Sequence, residues 1–96
     1  MIVSFADGAT EDLFNGDGTA RVRGLPPEVQ QKGPRKLDLI NAAVKLDDLR
    51  VPPGNRLEAL KGDLAGYHSI RINDQWRVVF KWKDGAAHEV RITDYH

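Results

Sequence analysis

The stretch YHSIRINDQWRVVFKWKDGAAHEVRITD, from Tyr67 to Asp94, constrains the fold more than any other part of the chain. Apolar and polar residues alternate along it, the period of a strand with one buried face, and turn signals at NDQ and KDGA divide it into three runs. A loop of Asn73, Asp74 and Gln75 sets Ile72 opposite Trp76, Ile70 opposite Val78 and His68 opposite Phe80, which gathers the apolar side chains on one side. A two-residue loop would pair Ile70 with Arg77 and mix the faces. By the same logic a loop of Asp84, Gly85 and Ala86 aligns Trp82, Phe80 and Val78 with His88, Val90 and Ile92. The opposite, polar face then carries Arg71 across from Arg77, Lys81 across from Glu89, and Thr93 beside Arg77. Like charges opposed on neighbouring strands destabilise a sheet unless something compensates, and a bound anion would do so.

The N-terminal half reads differently. IVSF has the β-branched and aromatic content of a short strand. Asp7 through Phe14 suit a helix with Asp7 as N-cap. NGDGTARVRG is turn-rich and carries no core signal, so a mobile loop is expected there. Pro26 and Pro27 announce a second helix, since proline is tolerated at a helix start. Leu37, Ile40, Ala43 and Val44 then fall at helical spacing. Gly33 and Pro34 interrupt that helix, because an interior proline removes a donor and clashes with the preceding turn at a cost of roughly 3 kcal/mol, so a kink or break is expected. RVPPGN closes the helical half.

Length and composition set the outer limits. A chain of 96 residues can bury one modest core, so residues 1–96 are read as a single domain. The absence of cysteine removes disulfides and thiolate metal sites; MIVSF lacks the basic flank and length of a signal peptide, and no apolar run reaches membrane-spanning length, so a soluble cytoplasmic protein with no membrane partner is expected. Lys plus Arg and Asp plus Glu are each 14, so a nucleic-acid-binding surface would have to come from a local basic face rather than a basic total. The acids Asp7, Glu11, Asp12, Asp47 and Asp48 are expected on the helical side.

The candidate reactive groups lie around the polar face. Arg77 sits inside a strand, where its planar donor fork could be fixed toward a phosphate or toward a salt bridge with Asp94. Arg71 suits a phosphate contact or a solvated rim. Lys61, at a strand-to-loop junction in EALKGD, is a candidate cation or a solvated surface group, and Glu58 a general base, a partner of Lys61 or plain surface charge. The chain closes on Asp94, Tyr95 and His96, an acid, a phenol and an imidazole, which are either a polar tail or proton-handling groups. His68 and His88 fall on the apolar parity. Three scattered histidines without metal-ligand spacing point to metal-independent chemistry with no cofactor.

The stretch PPGNRLEALKGDLAGYHSIRINDQWRVVFKW, together with the terminal DYH, resembles HigB-type toxins of the RelE superfamily. The likeness runs from about residue 34 to residue 96, and residues 15 to 33 match poorly. The resemblance implies an α+β fold: a short N-terminal strand and two N-terminal helices packed on a curved, mainly antiparallel sheet of about four to five strands. It also implies a ribosome-dependent, metal-independent mRNA endonuclease that cuts in the decoding site, inhibits translation and growth, and is held inactive by a HigA-like helix-turn-helix antitoxin through which alone it reaches DNA. Lys61, Arg77, Asp94, Tyr95 and His96 match the residues that carry RNA cleavage in such toxins. One position departs: a histidine that some members carry in an LHPLKG setting is here Glu58 in LEALKG. The chemistry implied is attack of a ribose 2′-hydroxyl on the adjacent phosphate, giving a 2′,3′-cyclic phosphate. That needs a base, cationic donors for the phosphorane and an acid for the departing 5′-oxygen. The competing reading is a non-catalytic antitoxin-binding module that acts in autoregulation of its operon.

Overall fold

The computed structural model describes residues 1–94. Three helices, α1 (Gly8–Asn15), α2 (Ala20–Arg23) and α3 (Pro27–Ala42), precede an antiparallel sheet of strands β1 (Glu58–Ala59), β2 (Tyr67–Arg71), β3 (Trp76–Lys83) and β4 (Ala86–Asp94) in the order β1-β2-β3-β4. Between the halves lie short 3₁₀ turns at Leu46–Arg50 and Pro53–Asn55. This is the α+β arrangement expected, with the helices on the apolar face of the meander: Val29, Leu37, Ile40, Ile70, Val78, Phe80 and Val90 are all fully buried in one core.

Helix α1 begins where Asp7 accepts a hydrogen bond from the Thr10 amide at 2.8 Å, and it ends on Gly16, whose φ of 79° suits a residue without Cβ. The N-terminal segment runs parallel to β4 through two bridges, Ile2 to Ala87 and Phe5 to Val90, rather than as a continuous strand. It covers an edge that would otherwise expose unpaired backbone groups.

Two expectations for the helical half are corrected. Residues 15–24 are not a mobile loop: Thr19 caps α2, Val22 is buried in the core, and Asp12 accepts from Thr19 Oγ1 at 2.8 Å and pairs with Arg21 at 2.8 Å. The segment's single core residue was too weak a periodic signal to read. Nor does Gly33–Pro34 break the second long helix, which runs 16 residues through Pro34. Its buried face is Val29, Gly33, Leu37 and Ile40, a series with steps of four, four and three residues whose packing offsets the lost donor. At Gly33 the two helices come close, for a Cβ there would lie 2.9 Å from Leu13 Cδ2 of α1 and that side chain would have to shift. Val44, expected in the apolar stripe, lies beyond the helix end and is exposed.

The first hairpin has the expected register, with His68 opposite Phe80, Ile70 opposite Val78 and Arg71 opposite Arg77. Asn73 Oδ1 closes its turn by accepting from the amides of Gln75 and Trp76 at 2.9 and 2.7 Å. The second is as expected only toward the chain end, where Arg77 faces Thr93 and Val78 faces Ile92. Nearer the turn Lys81 faces His88 rather than Glu89, and Trp82 faces Ala87 rather than His88. The turn has two residues, Asp84 and Gly85, both with positive φ (53° and 74°), the geometry for which Asp-Gly is the favoured pair. The register recovers because one extra residue is accommodated between His88 and Arg91, where Glu89 has φ 52°. That is a β-bulge, a local kink that re-aims side chains.

Candidate functional site

Alternation along the paired strands assigns one face of the sheet to Glu58, Tyr67, Ser69, Arg71, Arg77, Val79, Lys81, Arg91 and Thr93. Ser69 and Val79, at its centre, are each only 1% exposed. They form a small, dry floor, around which Arg71, Arg77 and Arg91 are half-buried while Glu58 and Lys81 are exposed, so charge interactions are strengthened over their value in water for the arginines rather than for the whole rim.

Arg77 stands beside this floor with Nε and Nη1 shielded from solvent, so its guanidinium is held rather than left to wander. Arg71 lies directly across from it. The like-charge conflict is answered in part from within the chain, for Arg71 Nη2 pairs with Asp74 Oδ1 of the intervening turn. Glu58 faces Ser69 from the edge strand β1. Lys61 follows that strand directly, and the two line one depression of about 360 Å³ with Ala59, Leu60 and Leu64. The register therefore gathers Arg71 and Arg77 side by side and sets Glu58 and Lys61 together at the edge of the sheet.

Asp94 is placed differently. It pairs with Trp76, one position out of step with Arg77 and Thr93, and its Oδ2 accepts from Gln75 Nε2 at 3.0 Å. Tyr95 and His96 lie outside the described residues. Among the described residues no three His, Cys, Asp or Glu side chains cluster as a metal-ligand set, and no helix is long and apolar enough to cross a membrane.

The remaining histidines occupy structural positions. His68 stacks against Phe80 with ring centroids 6.2 Å apart, and burial pushes its pKa down. His88, expected on the apolar parity, instead shares the polar side with its partner Lys81 because the turn has two residues, and its Nε2 lies 3.3 Å from the Lys83 carbonyl. The acids expected on the helical side are there: Glu11 lies in the first turn of α1, and of the others Asp7 caps α1, Asp12 holds Arg21, Asp47 pairs with Arg50, and Asp48 accepts from the amides of Val44 and Lys45. The partners of these four aspartates all lie outside the sheet.

Sequence reasoning overlooked one group on that face. Tyr67 donates to Glu89 Oε2 at 3.1 Å, and this bond, with a smaller contribution from burial, raises the phenol's pKa and keeps it a neutral donor. Beside them Arg91 closes a small cup of about 90 Å³ with Ala6 and Leu64. Arg91 shares the parity of Thr93, a signal the sequence carries. Glu89 joins them through the bulge, which alternation does not reveal.

A family model for HigB-like toxins, described as the RelE-like toxin of type II toxin-antitoxin system HigB, matches residues 3–96. Toxin HigB-1 of Vibrio cholerae serotype O1 is 42% identical over 87 residues, covering 91% of this chain and 90% of that protein. Endoribonuclease HigB of Proteus vulgaris is 31% identical over 96 residues, the whole of both chains. Among solved structures, a YafQ mutant from E. coli superposes with a TM-score of 0.63 at 16% identity, over 98% of this chain and 93% of that one. A chain of the YoeB-YefM complex from Staphylococcus aureus superposes with a TM-score of 0.58 at 18% identity, over 100% and 98%. At those identities the structures speak for the fold alone.

Proposed function

Since the chain belongs to the HigB-like toxins, the RelE-like toxins of type II toxin-antitoxin systems, we propose that it is a ribosome-dependent mRNA endonuclease whose active centre is the polar face of the sheet. The observation that carries this reading is the pairing of Arg71 with Arg77 beside a dry floor, an arrangement suited to a phosphodiester. The name Endoribonuclease HigB, borne by a relative that aligns from end to end, supports it.

On this reading Arg77 and Lys61 stabilise the negative charge that develops on the phosphorane, and Arg71 contacts a phosphate of the message. His96 protonates the departing 5′-oxygen, Tyr95 positions the nucleotide by stacking or a hydrogen bond, and Asp94 orients its neighbours or removes the 2′-hydroxyl proton. Glu58, beside Lys61 at the edge depression, is the reserve base. The residues supply a base, cations and an acid, so the cut proceeds without metal and leaves a 2′,3′-cyclic phosphate. A HigA-like helix-turn-helix antitoxin restrains the toxin and provides its only link to DNA, and the decoding site of the cytoplasmic ribosome presents the message.

The test is induction of the chain alone, with primer extension on cellular messengers, followed by cleavage on programmed ribosomes by purified protein. Arg77→Ala is expected to lower the cleavage rate on the order of 10²-fold or more and to relieve growth arrest with its circular dichroism unchanged. Undiminished toxicity removes Arg77 from the mechanism. Indifferent growth and intact messengers with the unaltered chain would favour the non-catalytic antitoxin-binding module instead.

A further inference from the structure

We propose that Arg91 holds the phosphate next to the scissile one, so that the sheet carries two phosphodiester subsites rather than one. The proposal rests on the ribonuclease reading above and adds to it a substrate contact that the resemblance did not supply.

Three observations converge on Arg91. It faces Val79 on the same side of the sheet as Arg77, which itself faces Thr93. The two arginines are thus diagonal neighbours across β3 and β4, with backbones roughly 7–8 Å apart. Successive phosphates of an extended single strand have a comparable spacing, so one strand lying along the sheet can present one phosphate to each guanidinium.

Arg91 also lacks the internal compensation given to Arg71. Its Nε is shielded from solvent with no hydrogen-bond partner, and among the described residues it forms no ion pair. A shielded cationic donor left unmatched costs free energy, which an arriving anion recovers. The carboxylate of Glu89, which lines the same cup, accepts from the Tyr67 hydroxyl and forms no ion pair with Arg91. Glu58, at the far end of the same row, is three strand spacings away, roughly 14 Å.

Finally, space is present. The cup of about 90 Å³ between Arg91, Tyr67, Glu89, Ala6 and Leu64 is larger than the roughly 30 Å³ a water occupies in the liquid, which leaves room for a group larger than a water. It shares Leu64 with the depression that holds Glu58 and Lys61, so the two openings adjoin.

Single-turnover cleavage on programmed ribosomes tests this with messages in which each linkage flanking the cut is made neutral in turn as a methylphosphonate. The wild-type chain is expected to slow about tenfold at one flanking linkage, the size of one charge-assisted contact. Arg91→Gln is expected to cut the natural message about tenfold more slowly and to be indifferent to neutralisation of that linkage. Equal sensitivity in Arg91→Gln and wild type, or a wild-type chain indifferent to every flanking linkage, overturns the proposal. A variant slowed on all messages by the same factor assigns Arg91 a structural role and overturns it too. Should Arg91→Gln fail to fold, Arg91→Lys, which keeps the charge without the planar fork, takes its place and must shrink the effect. Absence of any cleavage by the wild-type chain overturns the ribonuclease reading itself, an outcome distinct from all of these.

Discussion

Thr10 joins the first helix to the strand that ends at the candidate site, and its replacement by valine is the sharpest test of how that strand is held. The Ile92 amide points away from β3, toward the side where the N-terminal segment has already turned into α1. There the Thr10 hydroxyl oxygen accepts its hydrogen bond at 2.9 Å, with Thr10 only 1% exposed. Valine has nearly the same shape but no acceptor, so Thr10→Val leaves a buried N–H unmatched at a cost of about 1–3 kcal/mol. A mid-range loss of about 2 kcal/mol would lower Tm by about 8–16 °C in a domain of this size. Thr10→Ser keeps the acceptor and loses one methyl, worth about 0.8 kcal/mol, so the expected order of stability is wild type, serine, valine. Urea unfolding measures the order, and hydrogen exchange at the Ile92 amide reports the bond directly. A valine variant as stable as the serine variant, or an Ile92 amide still protected in it, refutes the reasoning.

Two further predictions concern buried polar groups. Burial holds the His68 imidazole below its ordinary value of about 6.5, so the unfolded chain takes up the proton first as pH falls. The stability this group contributes is therefore fully present above about pH 6.5 and is lost as pH falls through the folded-state value. His68→Gln should lose less stability than wild type between pH 7.5 and pH 5, and equal losses in urea midpoints would count against this. Asn55 is fully buried, donates to the carbonyls of Leu49 and Val51 at 3.1 and 3.3 Å, and accepts from Lys36. Asn55→Ala removes all three bonds and leaves a small void, so a loss of about 2–4 kcal/mol is expected on denaturant unfolding, and a loss under 1 kcal/mol would contradict it.

The first hairpin was legible because alternation and turn length agreed: only the loop Asn73–Gln75 keeps Ile70, Val78 and Phe80 together. At the second hairpin the same two signals disagreed. Asp84–Gly85 is the strongest two-residue turn signal, yet uninterrupted alternation demanded three residues, and the chain satisfies both by inserting Glu89 as a bulge. A bulge leaves no reliable mark in a single sequence, since it is chosen by what the strand must pack against. The same holds for Pro34, whose local cost was read correctly and then outweighed by contacts of Val29, Gly33 and Leu37 that no local rule contains.

Alternation and turn chemistry by themselves determined which residues share a face of the sheet, and hence that Arg71 and Arg77 stand opposed, because a strand's period of two leaves no freedom once register is set. Tertiary structure alone decided that Val22 joins the core, that α3 runs unbroken, and that Arg91 lies beside an open cup while Arg71 is paired with its own turn. The reason is one of range. A residue's own preferences act over a few neighbours, whereas burial and charge compensation depend on segments brought together across the chain, and only the assembled fold states which of them meet.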